Sequence, residues 1–353
     1  MAPVVLALRA DARFEPVVAV TAQHREMLDQ VLDLFGITPD HDLDIMERGQ
    51  SLAQITCRVL EGIGAILEAD SFEAVVVHGD TTTTFAAALA AFYHRVPVAH
   101  VEAGMRTHDL AHPFPEEANR TLVAPLARWN FAPSETCESN LIAEGIDRAR
   151  IVRTAHNTAI DALHLVERMP YTFPDGPIAE ALASGRRIVL VTAHRRESWG
   201  TPMEGIFAAI ARVARAHPDV QVLVATHPNP VVSAAAARIL GEVERVELVG
   251  AQDYLPFVKL MAAADLIVSD SGGIQEEGPA LGTPVLVLRD VTEYPELVER
   301  SVVAIAGTAE ESVFATVSRV LSDDVVYQRM LAACAQTDAD DSTATIVEAL
   351  LDA

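Results

Sequence analysis

The chain has 353 residues, half of them hydrophobic, and carries 50 acidic against 26 basic side chains for a formal net charge of -24. That balance excludes a surface built to grip bare nucleic acid or an anionic membrane, so any phosphate must be met by local dipoles and a few placed cations. Three scattered cysteines (Cys57, Cys137, Cys334) give neither a disulfide framework nor a zinc knuckle, no run of about 18 apolar residues appears, and nothing at Met1 reads as a signal peptide; a reducing cytoplasm is expected.

In chain order, Met1-Ala2-Pro3 leads directly into a predicted helix over residues 4–10. A doubly wound domain normally opens with a central strand and a tight loop. The first strand by pattern here, 16–20, is therefore expected to be the second of its fold. Either Met1 is an internal methionine of a longer reading frame, or the domain has a gap at its central strand. Short β-branched runs follow at 74–77, 96–101, 187–192, 220–225, 266–269 and 284–288, separated by Ala/Leu-rich helical stretches such as 82–94 and 115–128. Apolar strands alternating with helices predict parallel sheets covered on both faces. Residues 168–176, RMPYTFPDG, read as a linker between domains at 1–165 and 177–336. Two facing doubly wound domains would bind a ligand in the cleft at the carboxyl ends of their strands.

The polar motifs sit at those ends. In HGDTTTT (78–84), Gly79 permits a tight turn, Asp80 or Thr81 can cap the helix, and Asp80 is either such a cap or a cleft carboxylate. In HVEAGMR (100–106), Glu102 ends an apolar strand, where a carboxylate is costly unless it is paired, for instance with Arg106, or functional. In PFPEEANR (113–120), Glu116 and Glu117 suit a helix start, and Arg120 lies one turn after Glu116. TAHRRES (192–198) gathers His194, Arg195 and Arg196 into the densest basic spot of an acidic chain. In SDSGGIQEEGPALGTP (269–284), Ser271, Gly272 and Gly273 form a loop before a helix expected near Ile274, a phosphate-binding arrangement, and Glu276 and Glu277 suit a ribose diol. There is no GxGxxG after a strand, no YxxxK pair and no metal-ligand spacing, so neither a nicotinamide cofactor nor a metal is indicated.

Together these motifs, with VTAQHREMLDQ, THPNP and YLPFVKLM, resemble the non-hydrolysing UDP-N-acetylglucosamine 2-epimerases over nearly the whole chain. The resemblance implies two Rossmann-like domains of glycosyltransferase-B type, an active site in the interdomain cleft, and a C-terminal segment, 337–353, that packs back on the first domain. It implies exchange of UDP-N-acetylglucosamine and UDP-N-acetylmannosamine by elimination and re-addition of UDP through a 2-acetamidoglucal, with no cofactor. Asp80, Glu102 and Glu116 match the family's acid–base carboxylates, and His194 the histidine beside the departing UDP. Ser271, Gly272 and Gly273 match the diphosphate loop, Glu277 the ribose contact, Phe257 a uracil-side contact and Arg120 a substrate-side arginine. Gln23 and His24 match a second, regulatory UDP-N-acetylglucosamine site of some members. A homodimer is implied too.

Two departures stand out. The family's GTRPE-type loop and the lysine before MAP are not in this sequence, and Ala155-His156-Asn157-Thr158 stands where members often have glycine before Asn-Thr. Three alternatives remain at this stage: a hydrolysing epimerase, a glycosyltransferase of the same fold, and a non-catalytic nucleotide-sugar binder.

Overall fold

The computed structural model describes residues 1–22, 25–47, 49–227, 229–292, 294–335 and 341–351. The chain divides into two compact units, Met1–Ala162 with Asp338–Ala353, and Leu163–Thr337. The division falls in the middle of the helix Thr158–Arg168, ahead of the proline-containing segment that follows it.

Twelve strands are present among the described residues: β1 Ala19–Val20, β2 His41–Asp42, β3 Val75–His78, β4 Val98–Val101, β5 Trp129–Ala132, β6 Ile151–Arg153, β7 Arg187–Thr192, β8 Val220–Ala225, β9 Val246–Val249, β10 Leu266–Ser269, β11 Val285–Val287 and β12 Val303–Ile305. Every pairing is parallel.

In unit 1, β3, β4, β5 and β6 form one sheet in that order, and β1 and β2 form a separate pair. Strand alternation sends successive residues to opposite faces. Val98 joins Val77 under the helices Leu52–Ala69 and Thr82–Tyr93. Ala99, Val101 and Phe131 pack on the other face against Val4 and Leu8 of the helix Ala2–Ala10 and Ile346 of the helix Ser342–Leu350. No ladder among the described residues joins the β1–β2 pair to the larger sheet. The pair is held on the β3 side by other contacts: Ile45 shares the core of Val77, and Thr21 Oγ1 lies 3.2 Å from Thr83 Oγ1.

Local chemistry explains where elements begin and end. Pro3 fits the first turn of a helix, so the helix expected from Val4 starts at Ala2. The strand expected over 16–20 shortens to two residues: Pro16 has no N–H, and the Val18 N–H goes to the Asp40 carboxylate at 2.7 Å. The helix expected over 115–128 is Glu116–Val123: Ala124 still has helical dihedrals, but Pro125 has no N–H to carry the ladder on. Thr81, not Asp80, caps the helix Thr82–Tyr93, its hydroxyl accepting from the Thr84 N–H.

Unit 2 has a single six-stranded sheet in the order β12-β11-β10-β7-β8-β9. Its first strand, β7, is central, with β8 and β9 on one side and β10 to β12 on the other. This is the doubly wound order, and its direction reverses between β7 and β10. Val189, Val191, Val222 and Val268 face the helices Thr201–Ala216 and Glu310–Ser322. The helix Gly272–Ala280 covers the other face, where Gly278 lies so close that an added Cβ would sit 2.5 Å from Val285 Cγ2.

Candidate active site

The carboxyl edge of the unit 1 sheet carries the first cluster. Asp80 follows β3 through Gly79, which has φ +70°. Arg120 approaches the Asp80 carboxylate at 3.5 Å, and the Asn119 side chain donates to the Asp80 carbonyl at 2.9 Å. Burial pushes the Asp80 carboxyl up; Arg120 opposes this and Glu116 adds to it. Asp80, Glu116 and Arg120 thus share one neighbourhood. The expected ion pair of Arg120 with Glu116 is replaced by one with Glu117, at 3.2 Å. Glu117 is 1% exposed, and its other oxygen accepts from the Thr107 and His108 N–H groups, so it ties the preceding loop to Arg120.

Glu102 stands at the end of β4 with φ +66°, a left-handed conformation that costs a non-glycine residue about 1–2 kcal/mol and concentrates at functional positions. Its expected structural partner, Arg106, pairs instead with Glu144 at 2.7 Å. Glu102 takes a hydrogen bond from the Asn157 side chain on one oxygen, and the other lies 3.3 Å from His78 Nε2. The His78 ring is held neutral: burial lowers it to about 3. The same edge contains His100, fully buried in β4, with Nε2 on the Gly79 carbonyl at 2.7 Å and its ring lowered by burial to about 4.

Asn157 carries two duties, since its Oδ1 also accepts from the Ala159 N–H at the start of the helix Thr158–Arg168. Beside it, His156 N donates to Ser342 Oγ at 2.9 Å, and the Thr343 N–H and hydroxyl both reach Asp161. The C-terminal helix Ser342–Leu350 is therefore anchored next to the residue that holds Glu102.

The second cluster lies in unit 2, where the sheet order reverses between β7 and β10. His194 and Arg195 follow β7, and Asp270 and Ser271 follow β10. The helix expected near Ile274 begins at Gly272, which places Gly272 and Gly273 inside its first turn. No side chain caps this helix. Its first N–H groups and its dipole form an anion-binding end, and the Ser271 N–H is already bonded to Ser269 Oγ at 3.0 Å. A Cβ on Gly272 would lie 3.5 Å from the Arg195 guanidinium and 4.0 Å from the Tyr294 ring, so a cation overlooks the loop. Glu277 reaches back over the first turn, within 3.9 Å of where a Gly273 Cβ would stand. Burial, with Glu276 beside it, raises the Glu277 carboxyl. Phe257 lies half-buried on the helix Tyr254–Ala263.

His194 is fixed from several directions. Its ring stacks on His227 with centroids 5.7 Å apart and planes 10° from parallel, and its carbonyl accepts from Trp199 Nε1 at 3.1 Å. Gln23 and His24 lie outside the described residues.

Sequence reasoning did not single out His78, Asn157 or Asp270. Asp270 carried the same signal as Glu102, a carboxylate at the end of an apolar strand. Asn157 read as an ordinary turn residue, because its partner is 55 positions away.

Comparison with known proteins agrees in extent. The family model described as UDP-N-acetylglucosamine 2-epimerase matches residues 6–351. The UDP-N-acetylglucosamine 2-epimerase of Yersinia pestis is 52% identical over 335 residues, covering 94% of this chain and 89% of that protein. The enzyme of the same name from Salmonella typhimurium is 52% identical over 355 residues, covering 99% and 94%. Among solved structures, the UDP-GlcNAc 2-epimerase of Neisseria meningitidis bound to UDP-GlcNAc superposes with a TM-score of 0.82 at 42% identity, covering 100% of this chain and 96% of that one. With its two parallel α/β units and a match running almost from end to end, the chain belongs to the UDP-N-acetylglucosamine 2-epimerase family.

Proposed function

We propose that this protein interconverts UDP-N-acetylglucosamine and UDP-N-acetylmannosamine by inverting C2 of the sugar. The observation that carries the reading is the cluster at the unit 1 sheet edge, in which Asp80 and Glu102 are each held by dedicated partners and Glu116 lies close enough to act on Asp80. Three carboxylates so placed suit proton removal on one face of a carbon and proton return on the other.

The chemistry balances without an oxidant. One carboxylate takes the C2 proton, the C–H electrons form the C1=C2 bond, and UDP leaves C1 with the bonding pair. The product of that half-reaction is a 2-acetamidoglucal. UDP oxygen then re-attacks C1, and the double-bond electrons take a proton at C2 from a carboxylic acid on the opposite face. The raised Asp80 carboxyl fits a group that must hold a proton at one stage and release it at another.

The departing UDP falls to unit 2. His194 and Arg195 supply donors or positive charge for the diphosphate, and Ser271, Gly272 and Gly273 supply the helix end. Glu277 takes the ribose diol and Phe257 the uracil side. Arg120 is 7% exposed and engaged with Glu117 and Asp80, so its part on the substrate side runs through Asp80. Gln23 and His24 belong to a second UDP-N-acetylglucosamine site in this reading, and the protein acts in the cytoplasm as a homodimer.

Incubation with UDP-N-acetylglucosamine in heavy water tests the proposal. UDP-N-acetylmannosamine should appear with deuterium at C2. Accumulation of free N-acetylmannosamine and UDP would show a hydrolysing enzyme instead, and binding without deuterium uptake would show a binder.

A further inference from the structure

We infer that Asp270 is the positioning residue for His194, fixing the imidazole proton on Nδ1 so that Nε2 is the nitrogen presented to ligand. Asp270 is fully buried just beyond β10. Its Oδ2 accepts the backbone N–H groups of His194 and Arg195, both at 2.8 Å. Its Oδ1 lies 3.1 Å from His194 Nδ1 and has no other polar partner among the described residues.

A buried carboxylate oxygen without a donor is strongly unfavourable, and a bare Nδ1 would set two lone pairs against each other across that distance. A proton on Nδ1 resolves both. Burial alone would raise the Asp270 carboxyl; the His194 ring and the two backbone donors outweigh it and hold the group below the ordinary carboxylate range, charged and ready to accept. The stacked His227 ring and the Trp199 bond keep the imidazole and its backbone from turning away. A second proton on Nε2 makes the ring a cation, which the Asp270 carboxylate, 3.1 Å from Nδ1, stabilises. The catalytic part of the inference rests on the proposed epimerisation: the imidazolium that Asp270 stabilises donates from Nε2 to the leaving diphosphate, and a neutral ring protonated only on Nε2 does not supply that charge.

The competing reading makes Asp270 a staple that only holds the 194–195 turn. Asp270→Asn separates the two. The side-chain oxygen of asparagine must stay on the two N–H donors, which places its NH₂ opposite Nδ1 as a donor. The staple survives, and the proton is forced to Nε2. Nitrogen-15 spectra of the histidine rings in the whole protein at alkaline pH, with the His194 signals identified by their loss in His194→Gln, read the tautomer directly. The Nδ1–H form is expected in the wild type and the Nε2–H form in Asp270→Asn. The turnover number should fall on the order of 10²-fold or more with KM little changed.

A wild-type proton on Nε2, or an unchanged tautomer in Asp270→Asn, would overturn the inference. The wild-type spectrum decides by itself if the variant does not fold. A wild type that exchanges no deuterium would defeat the functional reading and leave the tautomer result standing.

Discussion

The two units solve different electrostatic problems with different parts of the chain. In unit 2, the groups assigned to the diphosphate are backbone N–H donors at a helix start, a guanidinium above them and a histidine pinned by a buried aspartate. All of them follow β7 or β10, the two strands between which the sheet order reverses. In unit 1, the proposed acid–base groups are carboxylates, and side chains from other segments hold them: Arg120 and Asn119 at Asp80, and Asn157 at Glu102, with the neutral His78 ring 3.3 Å from its other oxygen. An anion of fixed charge is well served by dipoles that never move. A proton carrier must change charge during the cycle, so its surroundings must tolerate both states, and side chains placed around it do that better than a helix end.

The comparison breaks most directly at the carboxylates. Asp80→Asn and Glu102→Gln should each lower C2 deuterium exchange by roughly 10²–10⁴-fold, the usual share of general acid–base catalysis, while UDP affinity stays close to the wild type. Arg195→Gln should do the reverse, raising KM about 10-fold, or about 1.4 kcal/mol, with a smaller effect on turnover. If Glu102→Gln loses UDP affinity and keeps exchange, the division of labour between the units is wrong.

A stability pair comes next. Gly104 has φ +90°, and a Cβ there would sit 2.3 Å from the backbone carbonyl oxygen of Cys137. Gly104→Ala should cost roughly 2–5 kcal/mol, combining backbone strain with an obstacle that cannot rotate aside. Gly278 in unit 2 has an ordinary helical φ and meets the Val285 side chain at 2.5 Å. Gly278→Ala should cost only about 1 kcal/mol, since the gain in helix propensity offsets part of the crowding. Urea melts of the two variants give the order directly, and the reverse order would show that the β4 turn yields where the helix does not.

Much of this was legible in the sequence, for identifiable reasons. Strands β7, β8 and β10 were read to the residue because they are apolar runs bounded by polar turns, and the uncapped helix start after β10 was visible because its chemistry is local, though it begins at Gly272, two residues before the expected Ile274. Strand β1 was overextended because the bond that ends it comes from Asp40, outside any local window. Asn157 and the His156–Ser342 contact were out of reach for the same reason: their partners are 55 and 186 positions away. Long-range side-chain bonds are what unit 1 uses to set its carboxylates, so the unit 1 holders were the part of the candidate site least open to a linear reading.

Acid should separate the units as well. His100 is fully buried in unit 1, and its ring is lowered from 6.5 to about 4. Between those values the unfolded chain binds the proton and the folded one does not, so stability falls as pH drops through that window and is regained above it. The loss is roughly 3 kcal/mol for this group by the 1.36 kcal/mol per pH unit relation. Asp270 in unit 2 has a lowered carboxyl, so its contribution is present above the unfolded carboxylate value and fades only as pH falls through its lower folded one. His217 of unit 2 is also lowered by burial but is partly exposed, and weakens the contrast only slightly. Hydrogen exchange of β4 against β8 amides, corrected for intrinsic rates, should show β4 losing protection first between pH 6.5 and 4. His100→Asn should shrink that difference without abolishing it, because the His78 ring at the end of β3, lowered to about 3, loses its share of stability in the same window.

The smallest effect tests the holders themselves. Asn157→Ala removes one charge-assisted hydrogen bond from Glu102 and leaves His78 beside the other oxygen. Glu102 is half-buried, so water replaces part of what is lost, and exchange should slow by only about 10-fold, or about 1.4 kcal/mol in the barrier. Asn157→Asp retains the size and the Oδ1 bond to the Ala159 N–H but sets a like charge against Glu102. That should raise the Glu102 carboxyl and move the acidic limb of the rate profile to higher pH, a shift that simple loosening of the turn does not produce. Ser342→Ala separates the last ambiguity: it frees the His156 N–H and carbonyl from the C-terminal helix without touching Glu102. Asn157→Ala also loses the Oδ1 bond to the Ala159 N–H, which Asn157→Asp keeps. A slow Asn157→Ala beside a normal Ser342→Ala and a shifted Asn157→Asp would therefore assign the effect to the Glu102 bond, and equal losses in Asn157→Ala and Ser342→Ala would assign it to anchoring of the C-terminal helix.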